Sequence, residues 1–215
     1  MLGSVTLSQT ARTLAKYHVR NVDVELSAEL TFRLLETRHV LPRSHWSRVW
    51  PASIALSRWL LAERYLPATS TELGCGLGLV SMTLAHLGLT AEATDRVPDA
   101  LSFAAENAAR NQLSGFTTRH LDWGAPSGLA SDLILGADIV YEPEAPERLF
   151  RLLDTARFLV PGGRLVISGP RARAQLFGQL MRALSREGYV HQEDRAIVAW
   201  EGREEVIDVH VFQRP

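Results

Sequence analysis

The segment T-E-L-G-C-G-L-G over residues 71–78 constrains the fold most, because three glycines alternate at positions 74, 76 and 78. Glycine adopts a positive φ without strain and lets a ligand approach bare backbone. A short predicted strand precedes the segment and a helix-like stretch follows it, so we predict a tight strand-to-helix turn. In open α/β sheets, nucleotide-like ligands bind at such a turn after the first parallel strand. The alternative is an ordinary turn without a ligand.

From about residue 51 onward, short β-rich runs alternate with longer helical ones, which favours a parallel sheet built from βαβ units. The predicted strands cover 69–73, 90–94, 116–121, 132–137 and 164–168, and the predicted helices cover 51–64, 78–87, 98–112, 146–159 and 171–187. Two further β-type runs, 190–199 and 205–213, are close enough to pair antiparallel. We therefore predict an α/β, Rossmann-like seven-stranded sheet, mostly parallel with an antiparallel C-terminal hairpin and helices on both faces.

The first 45 residues are harder to interpret. Four leucines recur near helical spacing and predict a helix over 27–37: Leu26, Leu30, Leu34 and Leu35. We divide the chain into an N-terminal helical or irregular extension, 1–45, and a single domain, 46–215.

Composition argues against several partners. The 215 residues carry a net charge of −1, so no overall field attracts nucleic acid or an anionic membrane. No apolar run is long enough to span a bilayer, and no secretory signal is recognisable. The nearest approach to a basic patch is attributed to a solvated helix face; it comprises Arg171, Arg173, Arg182 and Arg186. We expect neither nucleic acid nor membrane as a partner.

Cys75 is the single cysteine, so no disulfide forms within the chain, which fits a reducing cytoplasm. Cys75 could be a nucleophile, but without an obvious Cys/His pairing a small apolar filler of the turn is favoured. The seven histidines show no metal-ligand spacing, and no metal is predicted; they are His18, His39, His45, His86, His120, His191 and His210.

Acidic residues follow three of the predicted strands. Asp95 lies 21 positions after Gly74, where a carboxylate can accept hydrogen bonds from both ribose hydroxyls of an adenosine. Its alternative role is a helix N-cap. Asp122 could accept from an adenine amino group while Trp123 stacks on the ring. The alternative for this pair is a loop carboxylate beside a core tryptophan.

The fourth strand ends in G-A-D-I-V-Y, which places Asp138 and Tyr141 at the same sheet edge as the glycine turn. The alternative for Asp138 is an N-cap or a structural hydrogen bond. The spacing E-x-G-x-G-x-G resembles motif I of the class I S-adenosylmethionine-dependent methyltransferases. The segment 138–141 resembles the D-x-x-Y motif of methyltransferase family 16, which includes protein-lysine methyltransferases. The likeness runs in order over about 45–170, with further matches at W-P-A (50–52), Asn107 and D-W (122–123).

The resemblance implies S-adenosylmethionine as cofactor and a protein substrate that presents a lysine. It implies that Asp138 and Tyr141 line the acceptor channel as catalytic residues. The implied cofactor contacts are Trp50, Glu72, Gly74, Gly76, Gly78, Asp95, Asp122, Trp123 and Ala137. On position alone, Trp50 could equally be a hydrophobic lid on its helix.

Such a transfer requires neither metal nor covalent intermediate, because the methyl is already activated. The protein must align acceptor, methyl and leaving group, which is worth roughly 7–11 kcal/mol. We assign Asp138 to orienting the amine, with the proton lost to water. Two rival functions stay open: a methyltransferase for a small molecule or nucleic acid, and a non-catalytic cofactor-binding protein. The N/D-P-P-Y signature typical of planar nitrogen acceptors is absent from the sequence. The oligomeric state is not indicated.

Overall fold

The computed structural model describes residues 7–39, 45–67, 69–124, 130–154 and 158–215. The helices are α1 (Leu7–Leu14), α2 (Pro51–Ala62), α3 (Leu79–His86), α4 (Pro98–Arg110), α5 (Ala145–Asp154) and α6 (Ala174–Arg186). The strands are β1 (Val19–Ser27), β2 (Leu30–Thr37), β3 (Thr69–Leu73), β4 (Thr90–Asp95), β5 (Phe116–His120), β6 (Ser131–Ala137), β7 (Leu159–Pro170), β8 (Val190–Trp200) and β9 (Arg203–Gln213). Short 3-10 turns span His45–Ser47 and Arg171–Arg173.

The main sheet has seven strands in the order β5-β4-β3-β6-β7-β9-β8. Its first five strands are parallel, and β9 pairs antiparallel with both β7 and β8. The predicted sheet is therefore confirmed, including the C-terminal hairpin. Strand order reverses at β3, since α3 leads to β4 on one side while β6 lies on the other. In sheets of this kind, ligands bind beyond the carboxyl ends of the strands at that point.

Side chains on both faces of the sheet are buried. Within β6, Leu133 and Leu135 belong to the hydrophobic cluster that includes α2 and α3, whereas Ile134 belongs to the cluster that includes α5 and α6. All three side chains are fully buried, as expected for a parallel strand covered by helices on both sides.

The prediction around the fifth parallel strand was wrong at one boundary. Helix α5 ends at Asp154, and β7 begins at Leu159, where the helix had been predicted to continue. Pro161 and Gly162 lie inside this strand rather than before it. A register shift between Ser131 and Leu133 of β6 accommodates them, so Pro161 and Gly162 interrupt the strand pairing without ending β7.

The predicted helix over 27–37 was also wrong, because β1 and β2 form an antiparallel hairpin. Leu30, Phe32 and Leu34 are buried while the residues between them are exposed, and this period of two is typical of a strand. Leu35 is buried as well, so it departs from the period of two. With Leu35 included, the spacing of the leucines resembles that of a helix. The hairpin shares its core with α2, so the division of the chain at residue 45 stays a prediction.

In the described part of the chain, no helix is both long enough and apolar enough to cross a lipid bilayer.

Candidate active site

A cleft opens at the carboxyl ends of the parallel strands, where the strand order reverses. Nine of the eleven predicted site residues line it: Trp50, Glu72, Gly74, Gly76, Asp95, Trp123, Ala137, Asp138 and Tyr141. The structure thus brings together residues that the sequence separates by up to 91 positions, from 50 to 141. Among the described residues that line the cleft, neither Gly78 nor Asp122 is present.

The glycine turn adopts backbone that other residues disfavour. Gly74, Gly76 and Gly78 have φ values of +63°, +52° and +86°. A Cβ at Gly76 would lie 3.1 Å from the Trp46 carbonyl oxygen. Gly78 is the N-cap of α3, and a Cβ there would lie 2.9 Å from the Ala104 Cβ. Gly78 therefore shapes the turn and its packing on α4, whereas Gly74 and Gly76 present backbone to the cleft.

Asp95 connects the end of β4 to this turn. Its Oδ2 accepts a hydrogen bond from the Gly76 amide at 3.1 Å, and its Oδ1 accepts one from the Val97 amide at 2.9 Å. Burial raises the pKa of the Asp95 carboxyl, although the hydrogen bonds from the two backbone amides favour its ionised form. Each carboxylate oxygen has a further lone pair. Asp95 can therefore hold the turn and also accept from a ligand hydroxyl.

Glu72 lies at the floor of the cleft and is 2% exposed. Its Oε2 accepts hydrogen bonds from the Ser81 amide at 2.9 Å and the Ser81 hydroxyl at 2.5 Å. Burial raises the pKa of Glu72 to about 8, and the charge of Asp95 adds to the effect. Glu72 is therefore largely protonated at neutral pH. Its hydrogen bonds with Ser81 connect β3 to α3.

The segment before α2 forms one wall. The Trp50 indole nitrogen donates to the His45 carbonyl oxygen at 2.6 Å. The His45 ring lies between Trp50 and Tyr141, with ring centroids 6.3 Å and 5.3 Å apart respectively. The sequence interpretation singled out Trp50 but missed His45 and Trp46, which lie directly ahead of it and also line the cleft.

Asp122 and Trp123 diverge after β5. Trp123 lines the cleft, and the Arg148 guanidinium lies 6.0 Å from its ring centre. The Asp122 Oδ1 instead accepts from the Gly124 amide at 2.8 Å and lies 3.5 Å from Arg148. Asp122 therefore supports the local turn through Oδ1, and its contact with the cofactor stays a prediction.

Asp138 directly follows β6 and has a left-handed backbone conformation (φ +57°). A hydrogen bond from its backbone amide to the Ser168 carbonyl oxygen (2.8 Å) supports this conformation. Arg173 forms an ion pair with the Asp138 carboxylate, and its guanidinium lies 5.8 Å from the Tyr141 ring centre. Burial raises the pKa of Asp138, opposed mainly by the positive charge of Arg173. Burial likewise raises the pKa of Tyr141, so the phenol is neutral at neutral pH.

Arg173 is the main site residue that sequence reasoning missed, since it had been assigned to a solvated helix face. It lies in the turn directly after β7, a parallel strand whose carboxyl end reaches the same edge as β3 and β6. Applying the rule for sheet edges to β7 would have found it.

The sheet order and this cleft define a class I S-adenosylmethionine-dependent methyltransferase. The profile described as lysine methyltransferase matches residues 34–174, and the chain belongs to that family.

Two relatives show the range of the likeness. Protein N-lysine methyltransferase METTL21A of Danio rerio is 32% identical over 204 residues, which cover 87% of this chain and 86% of that protein. Ribosomal protein L11 methyltransferase of Methylococcus capsulatus is 32% identical over 154 residues. These residues cover 65% of this chain but 49% of that protein, so the chain spans about half the length of this relative.

Solved structures share the fold at low identity. The ribosomal protein L11 methylase from Lactobacillus delbrueckii subsp. bulgaricus superposes with a TM-score of 0.60 at 18% identity, covering 93% of this chain and all of that one. Magnesium protoporphyrin IX methyltransferase from Synechocystis PCC 6803, solved with bound S-adenosylmethionine, gives 0.58 at 19% identity, covering 76% and 78%. At these identities the likeness shows the fold.

Proposed function

We propose that this chain methylates a lysine side chain of a protein, with Asp138 and Tyr141 at the acceptor end of the cleft. The observation that carries this proposal is the carboxylate–phenol pair beside the glycine turn, in a chain of the lysine methyltransferase family. The class of enzyme is established by the family, and the lysine acceptor and the roles of individual residues are proposed on that basis.

The cleft has the features that S-adenosylmethionine requires. Gly74 and Gly76 line the cleft in a turn with positive φ, and Asp95 has free acceptor capacity for ribose hydroxyls. Trp50 and Trp123 offer aromatic surface, and Ala137 leaves the wall near Asp138 open. When bound, the cofactor supplies a methyl group already activated by a sulfonium. Gly78 and Asp122, in contrast, support the turns on which these contacts depend.

The acceptor end must also favour a neutral amine, because the reference pKa of lysine is about 10.4. A lone buried carboxylate would stabilise the ammonium form and oppose this. Arg173 changes the balance, since its charge compensates Asp138 and disfavours a second cation nearby. We assign Asp138 to orienting the amine, Tyr141 to closing the channel, and Arg173 to positioning Asp138 and lowering the pKa of the acceptor.

Labelling in a cell lysate tests the proposal. Purified protein and methyl-labelled S-adenosylmethionine are added to a lysate, and labelled products are separated and identified by mass spectrometry. We expect a protein labelled on lysine. Asp138→Asn should lose this labelling while keeping cofactor affinity, and Glu147→Gln, an exposed position on α5, serves as control. Label in small molecules, or on arginine, would contradict the lysine proposal, and binding without transfer would support a non-catalytic role.

The state of the single cysteine bears on the compartment. Cys75 is free and buried, which agrees with a reducing cytoplasm. We propose a cytoplasmic enzyme whose partner is its protein substrate, with no role for nucleic acid or membrane.

A further inference from the structure

The C-terminal hairpin brings together three potential metal ligands, two on β8 and one on β9. Strands β8 and β9 pair antiparallel, with Glu193 opposite His210 and His191 opposite Phe212. His191 and Glu193 are two residues apart, so they project from the same face of β8 as His210 does from β9. Spacing along the chain predicted no metal because this convergence depends on the hairpin register.

The donor atoms already lie near the distances that a metal ion imposes. His191 Nε2 and His210 Nδ1 are 3.1 Å apart, and His210 Nδ1 lies 3.8 Å from Glu193 Oε2. All three donor atoms lie within 4.8 Å of one another. Ligand atoms at about 2.0–2.2 Å from a tetrahedral zinc ion are separated by roughly 3.4 Å. Small movements of side chains would therefore close the site.

The surroundings fix the ligands in this arrangement. The His210 ring stacks on Phe177, and the His191 ring stacks on Phe212, each with centroids 4.7 Å apart. Arg195 donates to Glu193 Oε1 at 2.9 Å and to Asp208 at 2.8 Å, so the other oxygen of Glu193 is left facing His210. Partners of this kind orient metal ligands and tune their affinity.

The facing ring nitrogens of His191 and His210 are the atoms available to a metal, which binds a neutral imidazole through its lone pair. Of the two nitrogens that face each other, one donates and the other accepts. A tautomer change in the donating ring alone therefore turns both lone pairs toward the site.

We propose that His191, Glu193 and His210 form a zinc-type divalent metal site, with water completing a tetrahedral set. Two imidazoles and one carboxylate suit zinc or a similar borderline ion rather than calcium or magnesium. The ion would join β8 to β9 and stabilise the hairpin by binding the folded state alone. The alternative is a histidine pair held by its mutual hydrogen bond with no affinity for metal.

Calorimetric titration of the full, tag-free chain with zinc chloride at neutral pH tests this site independently of methyl transfer. We expect one ion per chain, a higher melting temperature with zinc, and visible absorption typical of tetrahedral coordination when cobalt replaces zinc. His191→Asn should abolish all three. We prefer His191→Asn to a change at His210, because the His210 side chain is only 3% exposed and its replacement would disturb folding more.

Two further variants sharpen the result. Glu193→Gln should bind at least about tenfold more weakly, since even outer partners of metal ligands contribute roughly 10–100-fold to affinity. His120→Asn, an exposed histidine outside the cluster, should bind as tightly as the wild type. Far-ultraviolet circular dichroism checks that each variant is folded. Equal zinc affinity in the wild type and His191→Asn, or no saturable binding to either, would overturn the proposal.

Discussion

At the scale of single residues, Gly76 in the glycine turn and Gly88 after α3 offer a matched pair of substitutions. Gly76 and Gly88 both have a positive φ, so alanine at either position should cost about 1–2 kcal/mol of stability. A Cβ at Gly88 would meet nothing within 4 Å, whereas one at Gly76 would crowd the cleft wall. We predict that Gly76→Ala weakens cofactor binding by calorimetry and that Gly88→Ala does not. Equal affinities would mean that the turn does not contact the cofactor.

Glu72 should make stability fall with rising pH. Its pKa is about 8 in the fold and 4.5 ordinarily, so the folded state binds more protons between these values. The free energy of unfolding should therefore decrease as pH rises from about 4.5 through 8, by about 1.4 kcal/mol per unit of pKa shift. Urea unfolding at several pH values should show that Glu72→Gln removes most of this decrease. Parallel pH curves for wild type and variant would contradict the assignment.

Arg173 should set the pH dependence of transfer. Because its charge disfavours the ammonium form of the acceptor, Arg173→Gln should shift the rising limb of the rate profile to higher pH. Arg173→Lys, which keeps the charge, should retain the wild-type profile. The measurement uses the protein labelled in the lysate as acceptor, with initial rates over a range of pH. A profile that only falls in height, without moving, would leave Arg173 a structural role alone.

At the scale of elements, one buried carboxylate joins three parts of the fold. Glu36 of β2 is fully buried and lies 2.6 Å from Arg20 and 3.0 Å from Arg48. The same two arginines contact Glu201, in the turn between β8 and β9, at 2.6 Å and 2.5 Å. Glu36 Oε2 also accepts from the Val49 amide, next to Trp50. The β1–β2 hairpin, which carries Glu36, thereby holds the cleft wall around Val49 and Trp50 in place.

This arrangement predicts unequal costs for removing the two carboxylates. Glu36→Ala removes the buried carboxylate that the partly exposed Arg20 and the largely buried Arg48 share, and should cost about 3 kcal/mol. Glu201→Ala removes a carboxylate that is 47% exposed and should cost about 1 kcal/mol or less. Chemical denaturation measures both. Similar losses for the two variants would contradict the central role of Glu36.

Elements also show where the sequence sufficed. The strands from β3 to β6 and the C-terminal hairpin could be predicted because alternating βαβ patterns and local breakers define them. The hairpin β1–β2 could not, because Leu35 disturbs its period of two and imitates helical spacing. Cleft residues at or directly after a strand end, such as Asp95 and Asp138, could be predicted from position. Arg173 was missed because it was assigned to a helix face rather than to the end of the fifth parallel strand. The His191–Glu193–His210 cluster was missed because the register of the hairpin brings it together.

At the scale of the whole molecule, the strand order of the sheet determines where the cofactor and the acceptor are expected to bind. The reversal of strand order at β3 opens the cleft, and the carboxyl ends of β3, β4, β6 and β7 bring their polar residues to it. We propose that residues at the ends of β3 and β4 face the cofactor, and that residues at the end of β6 and in the turn after β7 face the acceptor. The two substrates are thus expected to meet across the switch point.

A crystal structure of the protein with S-adenosylhomocysteine tests this account most directly. We predict the product in the cleft, its ribose hydroxyls on Asp95, and its sulfur directed toward Asp138 and Tyr141. Binding at another surface, or a sulfur directed away from Asp138, would contradict the account.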